Sequence, residues 1–124
     1  MIVLNRGYLK KENKIVDLKW LDIMNGYVYA YDREEDRTVK YNSKYVNVMW
    51  NSLMKDVSGK FIFSDDVVAD SEGTQYIAVV TGRKWFLRKR LDKTDHPMSE
   101  FASPEDQRQL NVRLIGNVNI QYAL

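Results

Sequence analysis

The chain has no cysteine among its 124 residues, and that removes three kinds of chemistry at once. A disulfide framework, a thiolate zinc site and a cysteine nucleophile all need the missing residue. Histidine is nearly as scarce. His96 is the single one, too few for a histidine-rich metal site and a thin basis for a Ser-His-Asp triad. Only two prolines occur, Pro97 and Pro104, and no linker, low-complexity tract or internal repeat divides the sequence. No apolar run approaches the roughly 18 residues of a membrane-spanning helix, and no signal peptide is expected before the fold. A cytoplasmic protein with no membrane partner is therefore expected. The net charge is only +2, too small for a strongly basic nucleic-acid binder or an acidic tail. Gly-x-Ser-x-Gly, the phosphate-binding loop and the dinucleotide fingerprint are all missing. No acid, base and nucleophile can be named together, so the reading is of a non-enzyme without cofactor or metal.

What the sequence does contain is a composition that folds. Hydrophobic residues make up 44% and charged residues 29%, a globular balance rather than a disordered one. The length is that of one domain, with enough chain to bury a core unaided, so residues 1–124 are read as a single domain.

Short apolar runs alternate with turn chemistry along the whole chain. Asn25-Gly26 suits a tight turn and leads into Tyr27-Val28-Tyr29-Ala30-Tyr31, rich in β-formers. The charged stretch 32–37 reads as a hairpin tip before Val39 and Tyr41. Ser58-Gly59 and Glu72-Gly73 bracket Phe61-Ile62-Phe63 and Val67-Val68-Ala69, and Thr81-Gly82 separates residues 76–80 from Trp85-Phe86-Leu87. Runs of this length, turning about every 10 residues, predict a mainly-β domain: a small antiparallel sheet or barrel. Helix is the minority. Ser103 before Pro104, with Glu105 and Asp106 following, predicts a short helix. Residues 43–57 fit either period: Val46, Met49, Trp50, Leu53 and Val57 keep helical spacing, while Val46, Val48 and Trp50 alternate.

Residues 59–68 read Gly-Lys-Phe-Ile-Phe-Ser-Asp-Asp-Val-Val, which resembles the hallmark G-K-x-I-[YF]-x-G-D-[IV]-V of the YopX-like phage proteins. Leu53–Gly59 resembles that family's L-K-D-K-N-G with one extra residue. Residues 112–118 resemble its closing E-V-I-G-N-I-Y. Arg6-Gly7-Tyr8 with Glu12-Asn13-Lys14 is similar to a worn R-A-W-D-x-E-x-K opening. Two positions depart: Asp65 stands where the family has Gly, and Asn119-Ile120-Gln121 replaces Y-E-N-P-E-L. The resemblance implies a phage or prophage origin, a β-rich fold with an SH3-like barrel element and one or two short helices, and an extended segment at 43–57. It implies no activity. The hallmark residues Gly59, Lys60, Ile62, Asp66, Val68 and Gly116 are read as a fold signature.

Three groups of side chains remain as candidate sites. Residues 76–93 carry six basic residues and one acid, while 41–75 carry three and five. Arg83, Lys84, Trp85, Arg88, Lys89 and Arg90 form a basic, aromatic run of the kind that follows phosphates and stacks on bases. The plainer reading is a core strand whose charges solvate its ends and blunt an edge. Tyr27, Tyr29 and Tyr31 share one face of their strand, as an internal aromatic cluster or as a protein-binding surface. Asp65, Asp66, Asp70 and Glu72 match no calcium loop, and a turn or cap role suits Asp66 better. His96, beside Asp95 and Pro97, reads as a surface-loop residue. Taken together, these features suggest an accessory protein that binds a host or phage protein, with nucleic acid as the alternative partner through 83–90. Self-association is compatible with either.

Overall fold

The computed structural model describes residues 2–120, and the chain divides between Trp50 and Asn51 into two compact units. Both are built from antiparallel β-strands, as the turn spacing predicted.

The first unit holds β1 (Asn5–Leu9), β2 (Lys14–Asp22), β3 (Tyr27–Asp32), β4 (Arg37–Asn42), a 3₁₀ turn at Ser43–Tyr45 and the first half of β5 (Val46–Lys55). Its strands lie in the order β4-β3-β2-β1-β5, all antiparallel. Leu9, Leu18, Val28, Ala30 and Val46 form the core. Gly7 lies against that core with no room for a side chain. A Cβ there would come within 2.8 Å of the Val46 side chain and 3.0 Å of Leu18. Between β2 and β3 the register slips, from Leu18↔Ala30 to Trp20↔Tyr29. A bulge of this kind reverses the parity of the strand. Leu18 points into the core, and Trp20, two residues on, lies against Tyr29 on the other side.

The second unit holds the rest of β5, β6 (Phe61–Phe63), β7 (Asp66–Ala69), β8 (Gln75–Thr81), β9 (Lys84–Lys89), β10 (Asp95–Pro97), a 3₁₀ turn at Met98–Phe101 and β11 (Arg113–Asn117). The sheet order is β10-β9-β8-β7-β11, and β6 pairs with the end of β5. Ile62, Val68, Tyr76, Ala78, Leu87, Met98, Leu110 and Val112 are its core. In the first unit no ladder joins β4 to β5 among the described residues, so the expected barrel element is an open sheet rather than a closed barrel.

Residues 46–55 are extended. Of the residues that keep helical spacing, Val46 and Met49 are buried on opposite faces of the strand, while Trp50, Leu53 and Val57 are about half exposed, so the spacing marks no single buried stripe. Leu53, at φ 64°, then breaks the alternation in a bulge. The helix predicted after Ser103 does not form. Ser103 Oγ accepts from the N–H of Glu105, but the chain then spends its backbone bonds outward. Lys55 N–H donates to the Arg108 carbonyl, and Leu110 N–H donates to that of Lys55. Leu110 and Val112, two residues apart, are buried, which is an extended spacing that a helix would break. Helical turns occur instead at 43–45 and 98–101.

Candidate interaction surfaces

Carboxylates hold the turns of the second unit. Asp56 is almost wholly buried. Its Oδ1 accepts from the N–H groups of Ser58 and Lys60 and from the Ser58 hydroxyl, and its Oδ2 accepts from the N–H of Leu114 at 2.9 Å. Burial alone would raise this carboxyl's pKa. The donors from Leu114, Lys60 and Ser58 outweigh burial and hold it below the usual carboxylate value. The turn they stabilise contains Gly59 at φ +85°, a left-handed position suited to glycine.

Residues 59–68 fold around a second carboxylate. Asp66 is buried, accepts from the N–H of Phe63 at 2.7 Å, and accepts from the Asn117 side-chain amide at 2.9 Å. Ile62 and Val68 are fully buried, and Gly116 sits at the bulge where the β7–β11 register shifts. Lys60 contributes its backbone N–H to Asp56. Asp65 keeps the left-handed turn that glycine would favour, at φ 72°. Asn119 Nδ2 donates to its carboxylate. Asp70 accepts from the N–H groups of Glu72 and Thr74 and from the Tyr76 hydroxyl. Among the described residues no three acids or histidines converge as a metal-binding group.

The basic run lies on β9 and splits by parity. Leu87 is in the core and Trp85 packs against it, so the indole is committed to packing. Phe86 and Arg88 point to the opposite side. Arg88 makes a two-bond pair with Asp95, at 2.7 and 3.2 Å, which holds β10 to β9. Lys89 lies 4.0 Å from Asp92, and Arg90 donates to Gln75. Arg83 and Lys84, at the β8–β9 turn, have no acid within ion-pair distance among the described residues. Asp95 thus serves Arg88 and leaves His96 to others. His96 lies within β10, not in a surface loop: its ring meets Tyr76 and Phe101 edge-on. Its Nδ1 is 3.5 Å from Glu100 and its Nε2 is 3.0 Å from the Thr94 hydroxyl.

Tyr27, Tyr29 and Tyr31 share one side of β3, while Val28 and Ala30 are buried on the other. The sequence had not added Trp20 to this side. Its ring stacks on Tyr29, with centroids 4.4 Å apart at 24°, yet it remains 51% exposed, and Tyr31 remains 42% exposed. Lys40 lies over the Tyr27 ring at 4.4 Å and Lys19 over Tyr31 at 5.9 Å. The Tyr31 hydroxyl donates to Asp36, which raises its pKa. The face is aromatic, ordered and of mixed charge. Alternation makes the three tyrosines visible in the sequence, and only the β2 bulge brings Trp20 to them.

No family model and no curated protein matches the chain. Its fold is similar to that in the crystal structure of protein EF1440 from Enterococcus faecalis, with a TM-score of 0.61. The two share 13% sequence identity, over 96% of this chain and 94% of that one. A likeness at that identity concerns the fold alone. Among the described residues no helix is long and apolar enough to cross a membrane.

Proposed function

We propose that this is a non-enzymatic accessory protein that works by binding another protein through the aromatic face of its first unit. The observation that carries the reading is Trp20, half exposed and stacked on Tyr29 beside Tyr27 and Tyr31. Exposed aromatics on a rigid sheet supply large contact area at small entropic cost, and Trp and Tyr are enriched among the residues that dominate interface energies. The mixed charge around them, with Lys40 over Tyr27, Lys19 over Tyr31 and Asp36 at the Tyr31 hydroxyl, suits a protein partner better than a polyanion. The resemblance to YopX-like phage proteins supports a phage or prophage origin and action in the cytoplasm of a bacterial host, where the partner is a host or phage protein.

A nucleic-acid partner at β9 is the second reading, and Arg83 and Lys84, without an ion-pair partner among the described residues, favour it. Against it, Arg88, Lys89 and Arg90 already have partners and Trp85 is packed. The test is capture from infected cells with the wild-type protein and with Trp20→Ser/Tyr31→Ser. The protein-binding reading expects a partner that is lost in the variant and kept in high salt. A nuclease-sensitive partner lost in high salt and kept by the variant would favour the second reading.

A further inference from the structure

A different part of the first unit holds two apolar side chains almost wholly out in water. Ile23 is 80% exposed and Met24 is 97% exposed, side by side in the turn between β2 and β3. The turn is not a loose one. Asp22 Oδ1 accepts from the Asn25 N–H, both Asp22 oxygens accept from the Asn25 side-chain amide, and Gly26 N–H donates to the Ile23 carbonyl. The Gly26 carbonyl accepts in turn from Ser43 N–H at 2.8 Å. An ordered turn that displays two apolar side chains on a convex tip gains nothing for its own core.

The bond to Ser43 ties this tip to the 3₁₀ turn Ser43–Tyr45, and further bonds tie that turn to the one between β1 and β2. Lys10 N–H donates to the Tyr45 carbonyl at 3.0 Å and Lys10 Nζ to the Lys44 carbonyl. Lys11 Nζ lies over the Tyr45 ring at 3.9 Å and Lys44 Nζ at 5.0 Å. Two ammonium groups therefore lie over one exposed tyrosine, and a third, that of Lys10, is held on the carbonyl of the residue before it, in a turn bonded to the apolar tip. Of the acids nearby, Glu12 faces Lys14 at 3.5 Å, and Asp22, bonded to the neutral Asn25 amide, keeps one negative charge against the three lysines.

We propose that this end of the first unit docks on the surface of an anionic lipid bilayer. Ile23 and Met24 would enter the boundary between headgroups and acyl chains, and Lys10, Lys11 and Lys44 would face lipid phosphates. Charge complementarity selects the anionic surface, since each lysine held near such a surface adds to attraction. Shape selects a bilayer over a folded protein, because a convex apolar tip needs a matching pocket in a protein and none in a fluid interface. The bonded polar groups of the turn lower the cost of leaving water, and Tyr45 suits the headgroup level. Docking of this kind is peripheral and needs no spanning segment. It replaces the expectation of no membrane partner, and it is independent of the aromatic face.

The test is co-sedimentation of the full chain with vesicles of phosphatidylcholine alone and of equimolar phosphatidylcholine and phosphatidylglycerol. Binding is expected to the anionic vesicles only and to weaken as salt rises. Ile23→Ser/Met24→Ser keeps Asp22, Asn25 and Gly26, and should lower affinity roughly tenfold or more. Lys10→Gln/Lys11→Gln/Lys44→Gln should lower it on the order of a hundredfold. Absence of binding to anionic vesicles overturns the proposal. So does binding that follows the lysines but ignores Ile23 and Met24, because the cluster would then be a site for a soluble polyanion such as an acidic protein. Circular dichroism of each variant, matching wild type, excludes misfolding as the cause of a loss.

Discussion

Two buried carboxylates carry much of the second unit's local order. Asp56 gathers four donors from Ser58, Lys60 and Leu114, joining the turn after β5 to the start of β11 across 58 residues of chain. Asn in its place keeps the shape but loses the charge, which should cost about 1.5–3 kcal/mol. Because the folded pKa lies below the ordinary 3.8, this contribution is present above that value and is lost as pH falls through the folded pKa. Urea unfolding of wild type and Asp56→Asn should therefore differ at neutral pH and converge in acid. A gap unchanged by pH would contradict the assignment. In residues 59–68, Ile62→Ala should cost about 2–5 kcal/mol. Asp66→Asn should cost about 1.5–3 kcal/mol, because Asp66 caps the buried N–H of Phe63. Asp66→Asn with full stability but no partner binding would make the segment a site instead of a fold signature.

At the scale of elements, what could be read in advance was what is local. Gly26, Gly59, Gly73 and Gly82 all sit at turns with positive φ, and each of these turns is signalled by its neighbours in sequence. Alternation divided β3 and β9 into two sides, and the structure buries Val28, Ala30 and Leu87. Non-local terms were not legible. The bulge at Lys19 that turns Trp20 toward Tyr29 depends on the pairing partner, and no period-2 pattern contains it. The helical spacing of 46–57 marks no buried stripe, since Trp50, Leu53 and Val57 are about half exposed, and the helix signals at Ser103–Asp106 yield to bonds with Lys55 and to burial of Leu110 and Val112. Asp56 carried an Asx-turn signal in Asp-x-Ser-Gly, but its bond to Leu114 had none. Close packing at Gly7 gives a direct check of the β1–β2–β5 register. Gly7→Ala should destabilise by about 1–3 kcal/mol, as overpacking does, measured by thermal unfolding; a neutral result would contradict that register. On β9, Arg83→Glu/Lys84→Glu spares the Arg88–Asp95 pair and so leaves β10 in place. Low-salt binding to single-stranded DNA, where present, should fall in this variant and vanish near physiological ionic strength. Tight binding that persists there would promote nucleic acid over protein as the partner.

For the whole molecule, the division of labour is between an acid-pinned second unit and a first unit that keeps its aromatics outside. The second unit spends its conspicuous residues internally: residues 59–68 on its core and turns, Arg88 on Asp95, Trp85 on packing. The first unit leaves Trp20 and Tyr31 largely exposed although its own core is already filled by Leu9, Leu18, Val28, Ala30 and Val46. That contrast places the protein-binding proposal on the first unit. The most direct measurement is quantitative capture from infected cells, comparing wild type with Trp20→Ser/Tyr31→Ser at low and high salt and reading bound proteins by mass spectrometry. The account predicts a protein retained by wild type in high salt, unaffected by nuclease, and absent with the variant while the variant's unfolding curve stays close to wild type. The same protein retained equally by both would contradict it.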